Sequence, residues 1–499
     1  MLDESISTFL PSWLVKLDSP PSSRDPLGLQ ARAMEQADGL LPGLNVFTSR
    51  ARYYTFLCWA LDRAQAAESK RTHLERVLRL ERLLVLCEAL KHEDDPKRCS
   101  YIGRRRGRRF VSERRGAGLW ELPTKILKNQ PSSGALRLYR TSLASLGLIE
   151  EDDFDDGLGL HLTDRGERLA KQISRVDESV VAWALEGGAR TQKRRGTIEG
   201  VAERLCLTHA PGAHERRYLV GALFGDAAEQ DAQRRRDTVQ ILFEHGLLKR
   251  GSTGEDATDE EAVTDGDEGA TNEGGERETR SNWEILRPAL ERAPSNRLRP
   301  IQAAGAYQLV ALGLNALFKS ALDPAMEEGR ISLSSWRRAI AARAGRDFNA
   351  ARAATWAARQ DSPTKIANEL LDASVARPWS EVGMLATELL LRLGMVDRYV
   401  DWLGEECPPI VERVLVWARG ATRERAGDMI GQLLPELVEH HAQVSAKKGK
   451  GEWVVIDGDE VMKRSPRPLR LLLHSLRFAQ LGQLAADLAL DPEDVADET

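Results

Sequence analysis

The sequence predicts a mainly α-helical protein, and three observations carry that expectation. Apolar residues recur at helical spacing along most of the chain, extended signals are few and short, and one acidic run almost without apolar side chains separates two helical halves. At 499 residues the chain has room for about three domains. The boundaries read as a helical segment at 1–118, a mixed module at 119–176 and a helical stretch at 177–250. An acidic disordered linker at 251–280 follows, then a helical C-terminal region at 281–499 that ends in a β-hairpin and a helix.

The strongest helical pattern begins after Pro42-Gly43, where Thr48-Ser49 reads as the cap. Tyr53, Phe56, Leu57, Ala60, Leu61 and Ala64 fall at i, i+3, i+4, i+7, i+8 and i+11, with Arg50, Arg52 and Arg63 off the stripe. A second helix over about 71–90 repeats the period through Leu74, Val77, Leu78, Leu84 and Leu90. The two are expected to pack antiparallel on a common core; the rival expectation makes Arg50, Arg52 and Tyr54 a binding edge.

Residues 97–115 change character: nine Lys or Arg stand against one acid, Glu113, with Tyr101 and Phe110 interleaved. Gly103 and Gly107 point to a loop or arm rather than a rigid helix. Its chemistry is phosphate neutralisation, which releases condensed counterions and makes affinity strongly salt-dependent. The candidate contacts are Arg104, Arg105, Arg106, Arg108, Arg109, Arg114 and Arg115.

Residues 120–173 follow. A short helix over 122–128 leads to a turn at 131–134 and a second helix with Leu136, Tyr139, Leu143 and Leu146 on one face. Gly147-Leu148-Ile149 then turns into an extended piece, Asp155-Asp156-Gly157 supplies hairpin chemistry and 158–162 the return strand. Asp164 with Glu167 opens a closing helix. Helix, turn, helix, ribbon and closing helix resemble a winged helix-turn-helix, a module that binds DNA or docks proteins. Off the apolar stripe, Arg137 and Arg140 stand where a recognition helix offers donors to a major groove. The lead-in to the wing opposes this, because Glu150, Glu151, Asp152, Asp153, Asp155 and Asp156 repel a phosphate backbone. DNA contact and protein docking both remain open for the module.

In 177–250 a further basic cluster spans 190–195, and Gly246-Leu247-Leu248 echoes Gly147-Leu148-Ile149, so a second helix-turn-helix-like unit is expected. Residues 251–280 hold eleven acids and two arginines, a charge of −9; the overall −5 therefore leaves +4 on the remainder, and net acidity does not exclude a polyanionic partner. Beyond the linker, helices are expected at 300–319, 334–344, 381–393, 410–418 and 426–443, then a hairpin around Asp457-Gly458 and a last helix over 468–490.

Signatures of catalysis are absent: there is no phosphate-binding loop, dinucleotide fingerprint, nucleophile elbow or H-E-x-x-H. The five cysteines are scattered, without C-x-x-C or a histidine at ligand spacing, so neither a zinc ribbon nor a disulfide framework is expected. No metal or cofactor is expected. The least unfavourable enzyme reading is a metal-dependent nuclease using Asp457, Asp459, Glu460 and Lys463. No run approaches the roughly 18 apolar residues of a membrane span, so the expected location is the cytoplasm, away from membranes. LLPGLNVFTSRARYYTFLCWAL (residues 40–61), the winged helix and WVVIDGD (453–459) together resemble uncharacterised bacterial proteins found among anti-phage defence and mobile-element genes. That resemblance implies a multi-gene context with other protein subunits as partners and assigns no site residue. The expected function is a non-enzymatic DNA-binding subunit, with an assembly subunit as the alternative.

Overall fold

The structure, a computed structural model, describes residues 26–65, 70–94, 101–151, 159–186, 192–225, 229–248, 271–322, 330–338, 362–372, 379–395, 397–403, 407–420, 426–447, 454–463 and 471–495. The chain is mainly α, as its periodicity predicts, and forms two compact units. One joins Ala37–Pro288 to Ser475–Thr499; the other joins Met1–Gln36 to Ala289–His474. This differs from the five-segment expectation. Residues 119–176 are part of the first unit, and the end of the chain returns to it.

The first unit is built on α2 (Ala51–Ala64), which follows α1 (Gln30–Leu40) and packs against α3 (Lys70–Lys91). Apolar side chains cover nearly the whole circumference of α2, from Tyr53 to Trp59, and a helix of that kind belongs in a core. Of the expected binding edge, Arg52 and Tyr54 are buried and Arg50 is half-buried. Arg50 bonds Leu207 O (3.0 Å) and Asp487 (3.2 Å), Arg52 pairs with Glu215, and the Tyr54 hydroxyl meets Ser142 (2.7 Å). The helix starts after Arg50 without a side-chain cap; Thr48 instead closes a tight loop onto Asn45.

Residues 104–113 are helical, which corrects the expected arm. This is α4 (Arg104–Glu113), packed on α3. The glycines that argued against a helix serve the packing. At Gly107 a Cβ would stand 2.7 Å from Val85 Cγ1 and 3.2 Å from Val85 O, so only glycine lets α4 approach α3 this closely. Gly107→Ala should therefore cost about 1–3 kcal/mol. In an ordinary helix interior the same change gains about 1 kcal/mol. The thermal midpoint of the purified chain checks the sign.

The strand β1 (Leu119–Trp120) comes next, and residues 122–128 form no helix, contrary to expectation. The expected turn at 131–134 is largely a short helix, α5 (Gln130–Ser133), leading to α6 (Ala135–Ser145). Leu136, Tyr139, Leu143 and Leu146 are all buried, as their spacing requires. The strands β2 (Ile149–Glu151) and β3 (Leu160–Leu162) pair antiparallel; the expected turn between them lies outside the described residues. Thr163, rather than Asp164, caps α7 (Asp164–Ala170) by accepting from Gly166 N.

The chain continues through α8 (Glu178–Leu185), β4 (Lys193–Arg194), α9 (Arg195–Leu205), α10 (Ala213–Val220) with a π-helical extension over Gly221–Gly225, and α11 (Gln230–Glu244). The echo between 147–149 and 246–248 is a shared helix stop. Gly147 (φ +62) and Gly246 (φ +59) take the left-handed conformation, and the next residue donates back five positions, Leu148 to Leu143 O and Leu247 to Leu242 O. The echo thus reports the end of a helix and is no evidence of a second helix-turn-helix. Part of the expected acidic linker is also helical, because α12 spans Thr271–Glu291; residues 249–270 lie outside the described set.

In the other unit, α13 (Arg299–Leu322) is the core helix. Against the expectation that no run approaches a membrane span, its window Arg299–Ser320 has the length and apolarity of one, the one such helix among the described residues, and is 94% buried. Against it pack α14 (Pro363–Asp372), α15 (Trp379–Met395), α16 (Asp397–Leu403) and, after α17 (Pro409–Gly420), which packs on α15, α18 (Ala426–Lys447). A three-stranded antiparallel sheet is ordered β5 (Arg330–Ser332), β7 (Glu460–Lys463), β6 (Val454–Asp457). Asp457 pairs with Glu460, so the hairpin turn is Gly458-Asp459. The last helix, α19 (Phe478–Asp487), belongs to the first unit and starts later than the expected 468.

Candidate nucleic-acid interface

Placement on α4 sorts the candidate arginines. Arg104 is buried (7% exposed) and leaves the candidate surface. Arg105, Arg108, Arg109 and Arg115 are exposed, while Arg106 and Arg114 are half-buried. Arg109 bonds Glu113 at 2.8 Å, which raises its affinity for its proton, yet both side chains stay largely in water. Such surface pairs are weak and exchange readily for a phosphate. The Arg114 guanidinium lies 3.8 Å from the centre of the Phe110 ring. Lys97 and Arg98 lie outside the described residues.

A second basic cluster meets this one. The β1 and β4 strands pair antiparallel, Leu119 with Arg194 and Trp120 with Lys193, across a separation in sequence that no local pattern reveals. Trp120 is fully buried between the clusters: Phe110 of α4 stands 6.3 Å from its ring and the Arg195 guanidinium 5.8 Å. Glu93 ties them further, accepting from Arg195 at 2.6 Å and lying 3.4 Å from Arg115. Hydrogen bonds to Glu199 and then Glu93 raise the proton affinity of Arg195. Arg105, Arg106, Arg108, Arg109, Arg114, Arg115, Lys193, Arg194 and Arg195 thus belong to one neighbourhood, where among the described residues they outnumber Glu93, Asp94, Glu113, Glu121 and Glu199. Arg137 and Arg140 sit on α6, which packs on α2, α3 and α5; Arg137 is exposed and Arg140 half-buried.

Two helix starts in this region break the usual charge rule. The first turn of α4 carries Arg104, Arg105 and Arg106 and no acid; α9 opens on Arg194 and Arg195, also without an acid or a side-chain cap. Cations at a helix N-terminus oppose the helix dipole, which itself favours an anion there; the leading N–H groups of the two helices are held by carbonyls, Arg104 N by Tyr101 O and Arg195 N by Gly118 O. The sequence signal was legible, but only a correct helix assignment gives it meaning.

Other arginines of the unit are internal staples. Arg235, fully buried, donates to Leu223 O (2.6 Å) and Pro42 O (2.8 Å); Arg477 donates to Leu41 O (3.1 Å). A cleft of about 350 Å³, bordered by Glu203, Arg204, His209 and His214, has the Arg52–Glu215 pair (3.1 Å) in its wall. That guanidinium also donates to Arg204 O and Cys206 O, so it serves the fold.

Beneath α6, Glu81 of α3 is 2% exposed and accepts from Leu136 N (2.7 Å) and the Gln130 amide (3.1 Å). Burial pushes its carboxyl up from 4.5 to about 7, and those hydrogen bonds pull it back only in part. The folded protein therefore keeps a proton that the unfolded chain has already released between those values. The resulting stabilisation is complete below about 4.5, is lost as pH rises through about 7, and amounts to about 3 kcal/mol at most. Denaturation across this window should show a downward slope with rising pH in the wild type that Glu81→Gln removes.

The cysteines hold one surprise. Cys206, at the C-terminal cap of α9, stands 3.6 Å from His92 Nε2, and Glu88 Oε2 lies 3.5 Å from the same nitrogen. Spacing along the chain does not reveal this contact, because His92 directly follows α3, 114 positions before Cys206. At the proposed nuclease residues, Asp459 and Glu460 lie exposed at the turn, and the described residues form no metal-capable cluster there. Compared with known proteins, the chain matches no family model, no curated protein and no solved structure.

Proposed function

We propose that this chain is a non-enzymatic nucleic-acid-binding subunit that grips the phosphates of duplex DNA with the face made by α4, the β1–β4 ladder and the start of α9. The convergence of two sequence-distant arginine clusters around Trp120 carries the reading. Helix starts loaded with arginine cost stability in the free protein and are relieved by a bound phosphate. Most contacts of this kind position a protein on the backbone without reading bases.

We read the segment from α5 to α7 as a winged helix whose outward Arg137 could reach a groove. Glu150 is exposed on its ribbon, so the wing itself is not the phosphate contact. The same acid favours a second reading, in which the ribbon docks a basic partner subunit of a bacterial multi-protein system such as anti-phage defence.

Arginine-directed dicarbonyl labelling with mass-spectrometric mapping tests the interface. Duplex DNA should protect Arg105, Arg108 and Arg194. Unchanged labelling at all three removes this face as the contact.

A further inference from the structure

Glu88 lies in the last turn of α3 and His92 directly follows the helix, with its N–H still bonded to Glu88 O (3.1 Å), so the two side chains stand one helical turn apart on the same side. Cys206 comes to them from the end of α9. The carboxylate, imidazole and sulfur ligand atoms all lie within 4.8 Å of one another. At a tetrahedral zinc centre, with bonds of about 2.0–2.2 Å to N and O and about 2.3 Å to S, neighbouring N and O atoms sit about 3.3–3.5 Å apart and S and N about 3.5–3.6 Å. The separations here are 3.5 Å for Nε2 to Oε2 and 3.6 Å for Nε2 to Sγ.

We propose that Glu88, His92 and Cys206 bind one Zn²⁺ ion, which fastens the end of α9 to α3. The second carboxylate oxygen, Glu88 Oε1, accepts from Leu207 N, an anchor that leaves Oε2 directed at the imidazole. The Thr208 hydroxyl, 3.0 Å from Sγ and 3.2 Å from Nε2, covers the remaining side, where water or the hydroxyl completes four ligands. Charge balances: the thiol releases its proton to solvent, and thiolate with carboxylate offsets the dication, so the buried centre is neutral. The Glu88 and Cys206 side chains are inaccessible, and the ion enters past His92, whose side chain keeps 11% of its surface.

The test uses the full chain, stripped with chelator and titrated with Co²⁺ as a spectroscopic stand-in for Zn²⁺. Binding of about one equivalent should give a thiolate-to-cobalt charge-transfer band and tetrahedral visible bands, both displaced by Zn²⁺. Cys206→Ser should remove the charge-transfer band. His92→Gln should weaken binding by more than about a hundredfold, beyond the effect of losing an outer-shell partner. Circular dichroism shows whether each variant folds. If Cys206→Ser does not fold, the wild-type spectrum with His92→Gln decides. A wild-type protein without a charge-transfer band, or a folded Cys206→Ser that keeps it, overturns the proposal.

Discussion

Replacing Arg105, Arg108 and Arg194 together with glutamate should reduce the salt slope of duplex-DNA binding by about 3, since each lost phosphate contact removes about 0.9. The three are exposed and come from two clusters joined only by the fold, so their effects should combine on one ligand. The loss should be uniform across DNA sequences, because phosphate contacts carry no base information. Fluorescence anisotropy on two unrelated duplexes at several salt concentrations measures both. Arg104→Gln is the internal contrast: its side chain is buried, so it should lower stability more than it changes the slope.

Arg52→Met should be among the most destabilising single changes, by about 3–5 kcal/mol. It strands Glu215, 6% exposed, without its guanidinium, and leaves the carbonyls of Arg204 and Cys206 without their donor. The double variant Arg52→Met with Glu215→Leu should recover part of the loss, because the uncompensated carboxylate has gone. Calorimetry of the three variants against wild type gives the comparison. A double variant no more stable than Arg52→Met would mean that the carbonyl contacts, not the ion pair, dominate.

Local periodicity made the helices around Tyr53 and Val77 legible, along with the face of Leu136, Tyr139 and Leu143 and the β2–β3 ribbon, since each is dictated by neighbours a few residues away. Residues 104–113 misled because helix propensity penalises Gly107, whereas its value lies in tertiary contact with Val85. Arg50 and Arg52 read as surface charges off an apolar stripe, yet carbonyls more than 150 positions away take them into the interior. Patterns along the chain could not place Lys193 and Arg194 beside Trp120, nor Cys206 beside His92, because a short two-residue ladder and a side-chain cluster have no periodic signature.

One measurement bears most directly on the proposed phosphate-binding face: the association constant of the unmodified chain for a duplex of arbitrary sequence, taken from low to physiological salt. Its logarithm should fall linearly against the logarithm of salt concentration with a slope of about −4 or steeper, as four or more displaced counterions require. A slope near zero, or no association at low salt, would contradict it.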